Sequence, residues 1–246
     1  MREQQNTGVA DAPPIPRIPS LDLAAHSEPV ARTGGDCYDF LRLADGRWGI
    51  LVADACGHGR EAALEIDFLR ALAHVRMESE TTPGGMLEYL NEALSAESEQ
   101  GNFVTAFFGI YDPRTHVVEY ASAGHPAPRA KGCGDGAFFR LESPQGLPLG
   151  VLPNQRYAEV CRRLKPGDQI VLYTDGITEA CNSRREMFGT RGLDRQLQHC
   201  GRNATTLARS VLAALDRFTE GRRAADDRTL VVARVTSDWA TAAAAA

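Results

Sequence analysis

The amino-acid sequence predicts an α+β fold in which two antiparallel β-sheets are flanked by helices. Six short runs of apolar, β-branched or aromatic residues, each bounded by turn-forming residues such as Gly, Asp or Pro, are typical of strands. Four longer segments repeat their apolar residues with the helical period. The order is strands, two helices, strands, helices and a last strand, which differs from the strict strand–helix alternation of a parallel sheet.

The first hundred or so residues carry two of the predicted strands and two of the predicted helices. Residues 21–27 alternate apolar and polar side chains, and residues 47–53 form an apolar run before a glycine-rich turn. The segments 60–77 and 86–94 have helical periodicity. The predicted buried face of the first helix holds Ala63, Ile66, Leu69, Ala73 and Met77.

The part of the chain from residue 103 onward supplies the remaining elements. The predicted strands are residues 103–111, 117–123, 168–174 and 228–235, and the predicted helices are residues 190–200 and 205–218. We expect Thr205 or Thr206 to cap the last helix, because a hydroxyl before the first helical turn accepts a hydrogen bond from a free backbone N–H.

Composition excludes several classes of protein. The chain has 246 residues, of which 43% are hydrophobic and 24% charged, as in ordinary globular proteins. No run of about 18 apolar residues predicts a membrane span. A net charge of −5, from 27 Lys and Arg against 32 Asp and Glu, does not favour a nucleic-acid partner.

The cysteines predict a reduced, cytoplasmic protein without disulfides. They show neither a CxxC pair nor regular spacing, and a chain of this length does not need cross-links to stabilise its core. We therefore expect all six to be free thiols: Cys37, Cys56, Cys133, Cys161, Cys181 and Cys200.

The chain is predicted to hold one folded domain. Residues 1–20 are polar and rich in proline, which is typical of a flexible leader or linker, and they lack the apolar segment of an export signal. Residues 21–236 form the predicted domain, and residues 237–246 are predicted to be a disordered tail.

Aspartates recur at the ends of the apolar strands. Asp36 follows two glycines, Asp54 follows the strand of residues 47–53, and Asp175 follows that of residues 168–174. Asp226 and Asp227 directly precede the last strand. Each site alone is ordinary turn chemistry. Together they predict a cluster of carboxylates, which needs a hard divalent cation such as Mg²⁺ or Mn²⁺ to offset its mutual repulsion.

The same segments resemble the PPM (type 2C) family of metal-dependent protein phosphatases, and in particular its bacterial SpoIIE/RsbU-like branch. The resemblance rests on GGDCYDFLRLADGRWGILVADACGHGREAAL, FVTAFFGIYDPRTHVVEYASAGHPAP, GLPLG, GDQIVLYTDGITEA and ADDRTLVVAR, in the family's order. It implies a four-layer α-β-β-α sandwich of two antiparallel sheets flanked by helices, with two Mn²⁺ or Mg²⁺ ions at one end.

The resemblance also implies the site residues. Asp54 would bridge the two metals and the Ala55 carbonyl would bind one of them. Asp175 and Asp226 would hold the second ion, with Asp227 as the alternative to its neighbour. Asp36 would act through metal-bound water. Asp54 and Asp175 would thereby be catalytic through the metal-bound water that attacks the phosphomonoester.

Several further residues have two interpretations. His58 is either a general acid for the leaving group or a turn residue. His125 is either a weak ligand or proton donor, or a strand-end turn residue. Asp39 is expected to be structural. Ala31 occupies the position where eukaryotic relatives carry a phosphate-binding arginine, with Arg32 one place later, which indicates that phosphate recognition falls mainly to the metals.

The resemblance implies a cytoplasmic serine/threonine phosphatase acting on a phosphorylated anti-sigma-factor antagonist of the STAS type. A sensory domain or separate regulator would act on the helix of residues 60–77, because the branch couples this helix to the metal site. Two alternatives remain open. One is a catalytically weak interaction module that uses the same surface, and the other is a phosphohydrolase acting on a small metabolite.

Overall fold

The structure is a computed structural model that describes residues 13–31, 33–57, 59–77, 81–97, 102–134, 136–144, 146–198 and 203–237. In order along the chain, the elements in these residues are β1 (Leu21–Glu28), β2 (Asp36–Arg42), β3 (Trp48–Ala55), α1 (Arg60–Arg76), α2 (Pro83–Glu97), β4 (Val104–Asp112), β5 (Val117–Ala123), β6 (Arg129–Lys131), β7 (Phe138–Arg140), β8 (Val160–Arg163), β9 (Gln169–Tyr173), α3 (Asp175–Thr178), α4 (Gly189–Leu197), α5 (Ala204–Thr219) and β10 (Arg228–Val235).

The described residues divide into two compact units. The first unit comprises the described residues up to 30, residues 128–141 and the described residues from 164 onward. The second unit comprises those within 31–127 and 142–163. Each unit contains one five-stranded sheet, and every pairing between its strands is antiparallel. The predicted pair of antiparallel sheets with helices is confirmed.

The second unit is built on the strand order β2-β3-β4-β5-β8, with α1 and α2 packed on one face. Alternate strand residues such as Cys37, Ala53 and Ala106 face the helices and are buried, because side chains of a strand alternate between its faces. Asp39 of β2 also ties α1 to the sheet: its Oδ2 lies 3.3 Å from Arg70 Nε and 3.0 Å from His74 Nε2. This is the structural role expected for Asp39.

The first unit is built on the strand order β1-β10-β9-β6-β7. Its core joins the sheet to α3, α4 and α5 through residues such as Val171, Ile177 and Leu207, all fully buried. The strand β1 pairs with β10 along its whole length, from Leu21 opposite Val235 to Glu28 opposite Arg228. Two distant parts of the chain therefore form the edge of one sheet.

Three expectations about local structure are wrong. Asn203 caps α5, since its side chain accepts a hydrogen bond from Thr206 N, so neither Thr205 nor Thr206 is the cap. On α1, Ala62 rather than Ala63 belongs to the buried face. Cys133 forms a disulfide bond, against the expectation of six free thiols, because spacing along the chain does not report distance in the fold.

Four other cysteines are free thiols, as expected: Cys37, Cys56, Cys161 and Cys181. Cys200 lies outside the described residues. Residues 13–20 of the predicted leader form neither helix nor strand, although Ile18 is buried; residues 1–12 and 238–246 lie outside the described residues. In the described part of the chain, the helices are too short or too polar to cross a bilayer.

Candidate functional site

Two carboxylates lie side by side at one end of the second unit's sheet. Asp36, the first residue of β2, is the direct partner of Asp54, the penultimate residue of β3. Directly opposed residues of antiparallel strands have Cα atoms about 4.5–5.5 Å apart and side chains on the same face. Both are half-buried, whereas Cys37 and Ala53, on the opposite face, are buried. The fold therefore brings together two of the predicted metal ligands.

Glycines allow the chain to close around this pair. A Cβ atom at Gly35 would lie 3.0 Å from Ala62 Cβ and 3.1 Å from the Ala55 carbonyl oxygen. The Ala55 amide donates a hydrogen bond to the Gly35 carbonyl at 2.8 Å. The absence of a side chain at Gly35 lets the start of α1 and the end of β3 approach the backbone just before Asp36. His58 and Arg32 lie outside the described residues, so what the sequence predicts for them stays a prediction.

The row of polar side chains continues onto the next strand. Thr105 of β4 is the direct partner of Asp54, so Asp36, Asp54 and Thr105 occupy consecutive strands on one face. Thr105 was not among the predicted site residues. Its only signal is a polar residue that interrupts the apolar run of residues 103–111, and the register that sets it beside Asp54 is not readable from one strand.

The histidine that follows β5 reaches this row. His125 is 1% exposed, and its Nδ1 lies 2.9 Å from Thr105 Oγ1. The turn before it requires Gly124, which has φ of 71°. The Ser122 hydroxyl donates a hydrogen bond to the His125 carbonyl at 3.3 Å. The imidazole is thus buried and in contact with Thr105, next to a turn at the end of a strand, and both predicted roles of His125 stay predictions.

The first unit contains the other predicted carboxylates. Asp175 is the first residue of α3 and not the end of a strand. The residue after it, Gly176, packs directly against the loop before β10: a Cβ atom there would lie 1.9 Å from the Asp227 carbonyl oxygen and 3.4 Å from the Asp226 carbonyl carbon. This backbone contact brings the segment of Asp175 to the segment of Asp226.

The two neighbouring aspartates differ in environment. Asp227 is 4% exposed, and its Oδ1 accepts a hydrogen bond from the Val30 amide at 2.6 Å. Asp226 is exposed, and its Oδ1 accepts a hydrogen bond from the Asp227 amide at 2.9 Å. The geometry therefore gives Asp227 a structural contact and favours Asp226 as the group available to a ligand.

Of the two thiols near the carboxylates, Cys37 lacks the features of a nucleophile. Burial raises the pKa of the Cys37 thiol well above its ordinary value, so this group stays protonated at neutral pH. Cys56 follows Ala55 and is exposed. Its backbone amide donates to the Phe103 carbonyl at 2.8 Å. The groups that this region offers to a metal ion are therefore carboxylate and carbonyl oxygens.

The carboxylates lie in pairs, and a pair of carboxylates is a suitable environment for a hard divalent cation. In the described ranges, no three His, Cys, Asp or Glu side chains come together as a complete metal site. The fit is carried by Asp36 and Asp54, because a cation bound between two directly opposed carboxylates offsets their mutual repulsion. Carboxylate and carbonyl donors select Mg²⁺ or Mn²⁺ rather than softer metals.

Comparisons with known proteins give the family and the fold. The model of the SpoIIE family (stage II sporulation protein E) matches residues 44–236. The phosphoserine phosphatase RsbU of Bacillus subtilis is 29% identical over 221 residues, which cover 89% of this chain and 65% of RsbU. The chain thus spans less than two thirds of the length of this curated relative.

Solved structures of similar fold include three PP2C-type or RsbU-type domains. The SiaA-PP2C domain of Pseudomonas aeruginosa is 22% identical with a TM-score of 0.77, covering 87% of this chain and 85% of that one. The RsbU and RsbW domains of Rv1364c from Mycobacterium tuberculosis are 26% identical with a TM-score of 0.74, and the match covers 90% of this chain and 61% of that one. The catalytic domain of the serine/threonine protein phosphatase PstP, in complex with two manganese ions, is 16% identical with a TM-score of 0.65. The match covers 88% of this chain and 99% of that one. The predicted PPM-type fold is confirmed.

Proposed function

The chain belongs to the SpoIIE family, and from this premise we propose that it is a metal-dependent serine/threonine protein phosphatase. It would hydrolyse phosphoserine or phosphothreonine on a regulatory protein. The observation that carries the proposal is the opposed pair of Asp36 and Asp54 at the end of the sheet, because two neighbouring carboxylates supply the oxygen donors that a hard divalent cation uses. The phosphoserine phosphatase RsbU, similar over most of this chain, supports the reaction class.

The proposed cofactors are two Mn²⁺ or Mg²⁺ ions. When bound, such ions supply an acidic water for attack on phosphorus and neutralise charge on the phosphoryl oxygens. Asp54 and the Ala55 carbonyl are the proposed ligands in the second unit, where Asp36 would act through metal-bound water. Asp175 and Asp226 are the proposed ligands in the first unit. The sharing of Asp54 by both ions stays a prediction from the sequence. The manganese ions in PstP support the choice of metal.

The proposed substrate is a phosphorylated anti-sigma-factor antagonist of the STAS type. The Mycobacterium tuberculosis protein that this chain resembles joins an RsbU domain to an RsbW domain, which supports a place in sigma-factor regulation. Ala31 is exposed and carries no group that grips phosphate. Binding energy would then come from protein surface remote from the phosphate, and the enzyme would use it to position the ester.

We propose that a regulator or attached sensory domain acts on α1. Three large apolar side chains lie on its outward face: Leu64, Phe68 and Val75 are 58%, 37% and 62% exposed. Their spacing of four and seven residues aligns them on one helix face. The opposite face packs on the sheet beside Asp36, through Ala62 against Gly35. A protein bound to the outward face would therefore act on a helix that packs against Gly35, the residue before Asp36.

The test is hydrolysis of p-nitrophenyl phosphate with Mn²⁺, repeated with chelator, followed by incubation with phosphorylated STAS proteins from the same genome. We expect Mn²⁺-dependent turnover, and kcat/KM on the cognate phosphoprotein at least about a hundredfold above that on its phosphopeptide. Binding of a phosphorylated STAS protein without any Mn²⁺-dependent turnover would instead support the interaction module. Equal efficiency on protein and peptide would contradict the substrate proposal alone.

A second experiment examines α1. Phe68→Ser should lower turnover of the phosphoprotein more than turnover of p-nitrophenyl phosphate, because Phe68 is exposed and outside the carboxylate pairs. Asp67→Asn, an exposed position next to it, is the matched control. Glu65 and Arg70 are poorer probes, since Glu65 accepts a hydrogen bond from Asn102 and Arg70 contacts Asp39. A parallel loss on both substrates would indicate a purely structural helix.

A further inference from the structure

The row Asp36, Asp54 and Thr105 ends in a residue that is not a metal ligand of the usual kind. Thr105 lies directly opposite Asp54 in the β3–β4 pairing, and the two side chains leave the same face. Opposed Cβ atoms lie about 4.5–5.5 Å apart, which allows a hydroxyl and a carboxylate to form a hydrogen bond. Thr105 is half-buried, so its hydroxyl is partly shielded from water.

His125 fixes the orientation of this hydroxyl. Its Nδ1 lies 2.9 Å from Thr105 Oγ1, and the ring is 1% exposed. The backbone beside it is held as well, because the Ser122 hydroxyl donates to the His125 carbonyl and Gly124 forms the turn. Burial and a fixed backbone restrict the rotamers of the His125 side chain, so Thr105 has a permanent partner in His125.

The donors and acceptors determine the direction of the hydrogen bonds. A hydroxyl has one proton to donate, and an ionised carboxylate only accepts. If Thr105 donates to Asp54, its oxygen must accept from His125, which requires a proton on Nδ1 of the imidazole. The structure gives the contact of Thr105 Oγ1 with His125 Nδ1. Donation from the Thr105 hydroxyl to the Asp54 carboxylate would be the second hydrogen bond of this arrangement.

We propose that Thr105 is a positioning residue for Asp54, with its hydroxyl oriented by His125. One oxygen of Asp54 would be held by Thr105, so that the other faces a divalent cation in a fixed direction. The proposal rests on the proposed function, since it concerns the metal affinity of the same site. Removing a group that hydrogen-bonds to a metal ligand and orients it weakens metal binding by about 10–100-fold.

The test measures Mn²⁺ binding to the full chain by calorimetry, after removal of metal with chelator. Thr105→Val should weaken the Kd about 10–100-fold, because valine keeps the shape and loses the hydroxyl. Thr105→Ser should restore the Kd to near the wild-type value. His125→Asn retains an N–H donor near the position of Nδ1 and should bind Mn²⁺ more tightly than His125→Leu, which has no donor.

The matched control removes a similar hydrogen bond from the far end of the same strand. Tyr111 Oη lies 3.0 Å from His116 Nδ1, about 20 Å along β4 from Thr105 at 3.4 Å per residue. Tyr111→Phe should leave the Kd for Mn²⁺ unchanged. Thermal unfolding of each protein in chelator reports any purely structural effect separately from metal binding.

The outcomes separate this inference from the proposed function. A wild-type chain that binds no Mn²⁺ at millimolar concentration would overturn both. Tight binding by the wild type together with an unchanged Kd in Thr105→Val would overturn the positioning role alone. The positioning role is also overturned if Thr105→Ser fails to restore binding, or if Thr105→Val lowers only the unfolding temperature in chelator.

Discussion

The two carboxylate pairs reach their positions by different physical means. Asp36 and Asp54 lie on adjacent strands whose pairing fixes their separation, and the ladder continues for six further residue pairs. Asp175 and Asp226 lie on a helix start and a loop, and one backbone contact at Gly176 brings their segments together. The first pair is therefore determined by a whole sheet, whereas the second depends on a single residue without a side chain.

The largest effect is expected from removing one carboxylate of either pair. Asp54→Asn and Asp175→Asn should each lower Mn²⁺-dependent hydrolysis by about a thousandfold or more, because several kcal/mol of charge stabilisation is lost with the metal. The measurement is kcat/KM on p-nitrophenyl phosphate at saturating Mn²⁺. Circular dichroism of both variants should match the wild type. Full activity in either one would contradict its assignment as a ligand.

Gly176→Ala should lower the unfolding free energy, which tests whether the second carboxylate pair depends on this backbone contact. A methyl group 1.9 Å from the Asp227 carbonyl oxygen forces the backbone apart, which costs about 3 kcal/mol in unfolding free energy. Urea unfolding measures this loss. Gly134→Ala is the control, since nothing lies within 4 Å of its Cβ position, and it should change stability by less than about 0.5 kcal/mol. Equal stability of the two variants would show that the contact at Gly176 is not required.

Substitutions at the adjacent residues Asp226 and Asp227 should have different effects, the first on metal binding and the second on stability. Asp227→Ala removes the acceptor for the Val30 amide and should destabilise the chain by about 1–3 kcal/mol. Asp226→Ala should instead weaken Mn²⁺ binding with little loss of stability, because this residue is exposed. Urea unfolding in chelator and calorimetry with Mn²⁺ measure the two properties. Exchange of the two phenotypes would reverse the assignment.

The smallest effect concerns repulsion within the first pair. In chelator, Asp36→Asn should raise the unfolding free energy by about 0.2–1 kcal/mol, because it removes one of two directly opposed like charges. With Mn²⁺ present the variant should be the less stable protein, since it binds the ion more weakly. Asp67→Asn makes the same charge change on exposed α1 and should show neither effect. A destabilised apo variant would contradict the repulsion.

Sequence patterns predicted the elements that carry a clear period. Strands such as β3, β4 and β10 and the four longer helices were identified within a few residues. The strand β2 was not delimited, because DCYDFLR mixes two aspartates with its apolar residues. The strands β6, β7 and β8 have three or four residues each, too few to show alternation.

The site was predicted in part for the same reason. Asp36 and Asp54 were identified because each lies beside a glycine turn at a strand end, and the structure makes them neighbours. Thr105 was missed because its significance lies in register, which depends on how three strands align. The disulfide of Cys133 was missed because sequence spacing carries no information on contacts between distant segments. Local signals are readable from one sequence, whereas pairings between distant residues are set by tertiary structure.

The long-range pairing of β1 with β10 has a consequence for synthesis on the ribosome. All of the second unit, within residues 31–163, is translated before the last strand of the first unit's sheet. The strand β1, which contains Leu21, can therefore pair with β10 only after Val235 has been synthesised. Asp36 and Asp54 can be set in register while β10 is still untranslated, so the carboxylate pairs would form in sequence and the nascent chain would acquire its ability to bind metal in two steps.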